Sequence, residues 1–410
     1  MEVGRNLEMQ PKKEFLVINC GTSSVKISLF SSVNDTTPLF RLWNGHLKGI
    51  FSSSPSLEIG TEKRKIISLS SCGSYRKAIL TILDCLEKDQ FSLSLICKVG
   101  HRVVHGGKEF INSILLTDFV LQKLQILSSL APLHNPPALE GISVAKELFS
   151  DIPQIAVFDT TFYSNFPPHV ALYPIPLELA EEHQIKRYGF HGISHQYLWK
   201  RYITSYPEKK KDGKIISLHL GSGCSLTAIK ASIPIDTTMG FTPLDGLMMA
   251  TRSGSIDPAI VAFLAEKENK SAAEIITILN QQSGLLGVSG ETGDMQALLS
   301  LAESNERAKL AIDMFLHNLI KGVGSLIAIL GGVDAFLFTG GIGENSPFIR
   351  SYLLSRFSWI NVLLSESKND ECFSLSFGEM RRISSEDSSV QVFVVATDEN
   401  GVIAEEIRVQ

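Results

Sequence analysis

The sequence predicts an α/β protein of two domains in which one strand-turn-strand unit occurs twice. Three observations lead there. The 410 residues, 44% of them hydrophobic, exceed what a single hydrophobic core usually organises. Short apolar runs of the buried-strand type alternate with stretches of helical spacing. Two such runs, 15–18 and 215–220, each enter a Gly/Ser bend and are each followed by a returning strand. With two domains, a cleft between them is the default place for a site.

Taken in order, 15–18 is a buried strand, Gly21-Thr22-Ser23-Ser24 a turn, and the alternation over 25–30 a second strand, so the chain opens on a hairpin. Helical spacing predicts helices over 75–88 and 118–130. Pro137 occupies a first helical position ahead of 138–149, and 154–158 is a strand that ends at Asp159. Residues 215–220, the turn Gly221-Ser222-Gly223-Cys224-Ser225 and 226–229 repeat the opening hairpin. A long helix over 307–330 then leads to a strand at 335–338 and the glycine cluster 339–345, which reads as a third bend. A last strand at 392–395 precedes a closing helix over 398–407. Segments 52–71 and 365–389 crowd Ser, Asp and Glu without period and read as loops or edge structure.

Thirty-eight basic against 43 acidic residues give a formal charge of -5 without a long basic run, so nucleic acid is not an expected partner. The six cysteines are dispersed and form no C-x-x-C, which fits reduced thiols in a cytoplasmic protein better than a zinc site or a disulfide framework. Residues 1–13 are polar with charges of both signs, unlike a secretory signal. The most apolar long stretch, 319–338, is interrupted by Lys321, Asp334 and glycines, and reads as a buried helix followed by a strand; no membrane partner is expected.

A Gly/Ser/Thr bend offers backbone N–H groups and hydroxyls to one concavity, as a phosphate requires. Lys26 lies two residues beyond Ser24. An unliganded hairpin turn uses the same residues, so one bend is ambiguous; three in one chain fit a polyphosphate. Arg102 and Arg252 lie in glycine-bearing surroundings that admit an oxyanion, although an isolated arginine serves equally as a surface ion-pair partner. His191 and His195 have the spacing of a helical metal pair, but Gly189 and Gly192 oppose a regular helix there; an imidazole donating to a transferring phosphoryl oxygen is the other role. His134 and His219 read as structural. Asp159 at a strand end and Glu399 at a helix start are oxygen donors of the kind Mg²⁺ takes beside phosphate, and Glu399 is equally placed to cap its helix.

Read together, L-V-I-N-C-G-T-S-S-V-K, V-G-H-R-V-V-H-G-G, A-P-L-H-N-P-P-A-L-E-G-I, V-F-D-T-T-F, R-Y-G-F-H-G-I-S-H, D-T-T-M-G-F-T-P-L-D-G-L-M-M-A-T-R-S-G, S-G-L-L-G-V-S-G and F-T-G-G-I-G-E-N-S resemble the acetokinase family of the acetate and sugar kinase/actin superfamily, from about residue 15 to 405. The resemblance implies two ribonuclease-H-like (actin-like ATPase) domains with the active-site cleft between them, 14–160 completed by 396–410, and 161–395. It also implies a homodimer and direct in-line transfer of the ATP γ-phosphoryl group to acetate, with Mg²⁺ or Mn²⁺, giving acetyl phosphate and ADP.

Carried over by position, Arg102, Asp159, His191 and Arg252 are the implied catalytic residues, and Asn19 and Glu399 the metal-side donors. Arg102, Val104, Leu133, Phe190 and Pro243 are implied to receive acetate. Thr22, Ser24, Lys26, His219, Gly221, Ser222, Gly223, Asp294, Met295, Gln296, Gly341, Ile342, Gly343 and Asn345 are implied on the nucleotide and phosphate side. The chain departs from the family pattern at Ser222 (usually Asn), Cys224 (usually Ser), Gln296 (usually Arg) and Asn400 (usually Glu), and Tyr163 stands where histidine is common. Ser222 and Gln296 bear on donor affinity. A propionate- or butyrate-type kinase or a different phosphoryl donor is the nearest alternative; an impaired nucleotide-binding regulatory protein is the alternative of another class.

Overall fold

The structure is a computed structural model that describes residues 13–32, 37–61, 65–128 and 130–410; the expectations for residues 1–12, 62–64 and 129 lie outside the described residues. The chain divides into two compact units, Met1–Thr161 with Glu399–Gln410, and Phe162–Asp398.

Unit 1 is built on strands β1 (Lys13–Cys20), β2 (Ser24–Ser32), β3 (Phe40–Lys48), β4 (Ser56–Ile59), β5 (Lys65–Ser68), β6 (Ile96–Val103), β7 (Ile114–Leu115) and β8 (Gln154–Phe158), in the order β5-β4-β3-β2-β1-β6-β8-β7. Unit 2 has β9 (Lys214–Leu220), β10 (Cys224–Lys230), β11 (Ile233–Thr237), β12 (Ala335–Thr339), β13 (Met380–Arg382) and β14 (Gln391–Val395), in the order β11-β10-β9-β12-β14-β13. The central five strands share one plan. In β3-β2-β1-β6-β8 and in β11-β10-β9-β12-β14 alike, two antiparallel pairings are followed by two parallel ones. The duplication suggested by two bends therefore extends over the centre of both sheets.

Parallel central strands are buried on both faces, which is why β1, β8 and β12 read as unbroken apolar runs. In β1, Leu16, Ile18 and Cys20 join the cluster formed with helices Tyr75–Lys88 and Asn135–Leu148. Strand alternation then turns Phe15, Val17 and Asn19 to the other face. Val17 pairs with Gly100 of β6, and a Cβ at Gly100 would lie 2.7 Å from Ile403 Cγ2 and 3.0 Å from Ile407 Cγ2. The closing helix Glu399–Val409 thus packs on that face, and only glycine lets it come so near.

Some elements differ from the sequence reading. The glycine cluster is not a third bend: Thr339 ends β12 and Gly340–Asn345 is a short helix, entered through Gly340 at φ +80°. Its opening donors are taken locally, because Thr339 Oγ1 and Gly340 N both donate to Glu344 Oε1 at 3.0 Å. The helix expected over 118–130 ends at Leu127, and the one expected from Pro137 begins at Asn135, with both prolines in its first turn where no N–H is needed. The weak segments hold the short strand β4, the edge strands β5 and β13 and the helix Glu366–Asp370. The long helix Glu306–Leu330 is apolar and long enough to cross a membrane; it packs against β10 and buries Phe315, Leu316, Leu319 and Val323.

Gly100→Val puts branched carbons where Ile403 and Ile407 stand, so unit 1 should lose about 1–3 kcal/mol, the cost of overpacking. Thermal melting together with limited proteolysis near the C-terminus checks this; an unchanged melting temperature and an uncleaved closing helix would show that the helix does not depend on Gly100.

Candidate active site

The carboxyl ends of parallel strands are where open α/β sheets gather ligand groups. In unit 1 the register places Asn19, Arg102 and Asp159 there on one face. Val17 pairs with Gly100, Arg102 with Val157, and each site residue lies at or two positions beyond one of these. That face also carries the closing helix, which supplies Glu399 and Asn400. Arg102 Nε donates to both Asp159 oxygens at 3.2 Å and Nη2 donates to Oδ2 at 2.6 Å. Its Nη1 stands 3.6 Å from Glu399 Oε2, an ion-pair distance without a hydrogen bond. Asp159 is 1% exposed and the Glu399 side chain 11%. Burial disfavours the Arg102 charge, but Asp159 and then Glu399 more than offset this, so its pKa is raised above the ordinary arginine value.

Asn19 Nδ2 donates to Asn400 Oδ1 at 3.4 Å, and Asn400 Nδ2 donates to Ser28 Oγ at 2.8 Å. The Asn400 departure therefore substitutes a neutral amide that ties Asn19 to β2. Among the described residues no group of three or more His, Cys, Asp or Glu gathers as a metal cage.

The first bend is pinned by its carbonyls. Tyr75 Oη donates to Thr22 O at 2.7 Å, Ile50 N to Ser23 O at 3.0 Å, and Gly21 N to Ser24 O at 2.8 Å. Within a trans peptide the N–H points opposite to the C=O, so the N–H groups of Ser23 and Ser24 turn the other way. Thr22 and Lys26 are exposed and Ser24 is half-buried.

In unit 2, Ser217, His219 and Ser225 share one face of the sheet, since Ser225 pairs with His219. Helix Gly192–Ser205 covers that face, and His191 is its N-terminal cap residue at φ +56°. His191 and His195 are thus not two turns of one helix, and the metal-pair spacing has no helical basis. His191 Nδ1 meets Ser225 Oγ at 2.8 Å, and its ring stacks on His219 with centroids 4.2 Å apart. His195 is buried, with Nδ1 at 2.6 Å from Ser217 Oγ and Nε2 at 2.7 Å from Ser225 Oγ; burial and then His219 hold its pKa well below the usual histidine value. Arg252 Nη1 donates to Pro243 O at 3.1 Å, and burial lowers its pKa.

Gly223 lies where these groups converge. A Cβ there would stand 3.3 Å from His191 Nε2 and 3.6 Å from Arg252 Nη1, so the absent side chain leaves a space lined by a ring nitrogen and a guanidinium. The neighbouring Gly221 brings the second bend within 3.7 Å of Gly341 N, measured from its own missing Cβ, and a Cβ on Gly341 would meet nothing within 4 Å. Ser222 is exposed at the tip. Arg350 braces the Gly343–Glu344 stretch from beneath: fully buried, it donates to the carbonyls of Gly343, Glu344, Asn369 and Cys372 and to Asn369 Oδ1.

Other expected residues are more dispersed. Asp294 is the exposed cap of helix Met295–Leu301, accepting from Ala297 N at 2.8 Å; Met295 is buried and Gln296 exposed. Asn345 Nδ2 donates to Gly341 O, and Ile342 follows on the same short helix. Val104 and Leu133 belong to unit 1, whereas Phe190 and Pro243 belong to unit 2. Sequence reasoning did not single out Tyr75, Ser217 or Ser225 as supports, and it left Tyr163 as a bare departure. Tyr163 Oη donates to Phe190 O at 3.0 Å, and its ring fills the space beside Gly189, where a Cβ would come within 2.4 Å. It braces the turn that presents His191.

The bends also carry Cys20 and Cys224, whose thiols burial pushes up to about 12, with Glu140 adding to the effect at Cys20. At pH 8 both should resist iodoacetamide in the native protein, because the thiolate is the nucleophile. Peptide mass spectrometry reads this directly; alkylation of either at the rate seen in denaturant would contradict the burial.

The sequence matches the Acetokinase family over residues 14–405. An acetate kinase of Thermoanaerobacterium thermosaccharolyticum is 42% identical over 399 residues, spanning 96% of this chain and 98% of that protein. One of Clostridium novyi is 41% identical over 402 residues, with the same shares covered. Among solved structures, Porphyromonas gingivalis acetate kinase superimposes with a TM-score of 0.83 at 36% identity, and a propionate kinase from Francisella tularensis with 0.85 at 39%. Each of the two comparisons covers 96% of this chain and 98% of the other. With a match that runs through every strand of both duplicated sheets and every residue gathered above, the chain belongs to the acetokinase family.

Proposed function

We propose that this protein transfers the γ-phosphoryl group of ATP reversibly to acetate, giving acetyl phosphate and ADP. Family membership across residues 14–405 carries the reading, and the convergence of His191 and Arg252 beside Gly223 supports it. An acetate oxygen attacks phosphorus in line, the new O–P bond forms as the bond to the β-phosphate oxygen breaks, and no proton moves. Acetate is ionised at neutral pH, so the site needs positive charge and alignment rather than a general base.

The residues supply that charge. Arg102, with Nε and Nη2 committed to Asp159 and, among the described residues, no hydrogen bond from Nη1, presents the Nη1 edge to the acetate carboxylate. Arg252 and His191 donate to phosphoryl oxygens, and Val104, Leu133, Phe190 and Pro243 are the apolar contacts of the methyl group. The pinned bend at Thr22–Ser24 with Lys26, and the bend at Gly221–Gly223 with Gly341, Ile342, Gly343 and Asn345, take the phosphates and nucleotide.

Arg102, Asp159 and Glu399 sum to one negative charge, which alone would repel a carboxylate. Mg²⁺ fits this set, since two carboxylates and the Asn19 amide are hard oxygen donors, and a cation that keeps water and phosphate ligands needs no larger protein cage. Asp159, Glu399 and Asn19 would hold it, directly or through water, and Mn²⁺ suits the same donors. When bound it offsets charge on the phosphate oxygens. A homodimeric cytoplasmic enzyme without nucleic-acid or membrane partners goes with this reading, supported by the formal charge of -5 and the unpaired cysteines.

The Francisella propionate kinase favours a second acid as substrate. One methylene in an apolar pocket changes kcat/KM by about 10–200-fold. With ATP, Mg²⁺ and hydroxylamine, acetate should give acetyl hydroxamate at a rate well above a His191→Ala control, with propionate slower within that range. Absence of product above the control would sink the phosphotransferase reading, and a propionate kcat/KM above that of acetate would reverse the substrate order. Ser222→Asn should lower the ATP KM severalfold and leave the acetate KM alone; an unchanged ATP KM would show the departure to be neutral.

A further inference from the structure

Unit 2 contains a buried chain of alternating hydroxyls and imidazoles that ends on His191. Its members are Ser217 on β9, His195 on helix Gly192–Ser205, Ser225 on β10 and His191, joined at 2.6, 2.7 and 2.8 Å. Ser217, His195 and Ser225 are each 0% exposed. Such a chain can run in either of two directions. In one, every proton points toward His191; in the other, every proton points away from it.

Ser217 selects the direction. Among the described residues, His195 Nδ1 is the hydrogen-bond partner of Ser217 Oγ and no second one occurs. A buried hydroxyl with no acceptor bears the full cost of its desolvation, so the Ser217 proton goes to Nδ1. His195 is neutral, as its depressed pKa requires, and its one ring proton is therefore on Nε2, which donates to Ser225 Oγ. Ser225 has one proton and two nitrogen neighbours. Having accepted from His195, it donates to His191 Nδ1. The ring proton of neutral His191 must then be on Nε2, the nitrogen that borders the space beside Gly223 with Arg252 Nη1. An imidazolium would carry a proton on Nδ1 as well and could not accept from Ser225, so the chain itself opposes a second proton on His191.

We propose that Ser217, His195 and Ser225 are positioning residues that act through this one-way chain to fix His191 as the neutral Nε2–H tautomer, a ready donor to the transferring phosphoryl group, a proposal that rests on the phosphotransferase reading. A neutral donor held in this way needs no reorganisation when charge develops on the oxygen it faces.

The test is nitrogen-15 NMR of the full chain with labelled histidine, the His191 ring assigned by its loss in His191→Gln. At pH 7 without substrate, His191 and His195 should both show a protonated Nε2 and an unprotonated Nδ1. Nδ1–H at either ring, or an imidazolium at His191, overturns the chain. This readout needs no turnover, so it is decided separately from the activity. Ser225→Ala should release the His191 tautomer and lower kcat about tenfold or more, with both KM values within about twofold. A full kcat with the tautomer released would deny the positioning role. Should that variant not fold, His195→Gln retains a donor for Ser225 and an acceptor for Ser217. It should keep the His191 signature and most of kcat where His195→Leu loses both; equal losses in the two would overturn the proposal.

Discussion

A guanidinium leaves water only with partners, and unit 1 is arranged around that requirement at Arg102. Its partners come from separate parts of the chain: Asp159 at the end of β8 and Glu399 from the closing helix. Breaking the buried Arg102–Asp159 pair costs about 3–5 kcal/mol, and Glu399 adds a second ion pair to the same guanidinium. The pair therefore ties the last helix, 240 residues beyond Asp159, to the sheet of the first unit. Gly100, two residues before Arg102 on the same face, makes the close approach of that helix possible. Fold and proposed chemistry share the constraint, because the bonds that satisfy Nε and Nη2 leave the Nη1 edge facing elsewhere.

Unit 2 meets its charges differently. Arg350 is buried among carbonyls and one amide, and burial lowers its pKa. Arg252 likewise bonds a carbonyl, Pro243 O. Hydroxyls and neutral imidazoles around the space beside Gly223 add donors without adding charge.

Much of this was legible in the sequence, and the reasons differ by element. Central strands such as β1 and β9 and the helix Tyr75–Lys88 carry their period openly, because each is buried on a defined face. The strands β4, β5 and β13 do not, since each is only three or four residues long, too short to show a period. The glycine cluster after β12 reads as a bend from composition, yet Gly340 supplies the single positive φ that starts a helix there. Among site residues, motif order identified Arg102, Asp159, His191 and Arg252. It could not identify Tyr75 as the anchor of Thr22, Tyr163 as the brace behind Gly189, or Ser225 as the link between two histidines. Those roles are hydrogen bonds between residues 27–53 positions apart, and no local pattern encodes them.

The central claim is that Arg102 recognises the acid through its fork geometry as well as joining the closing helix to the sheet. Arg102→Lys separates the two roles, because lysine keeps a positive charge for Asp159 but not the paired N–H groups. Steady-state kinetics of the folded variant, alongside its melting temperature, is the most direct measurement. The account predicts a kcat/KM for acetate lower by about 100-fold, or about 2.7 kcal/mol, with ATP KM changed little. A kcat/KM within about threefold of the unsubstituted protein would contradict it and leave Arg102 a structural ion-pair residue alone.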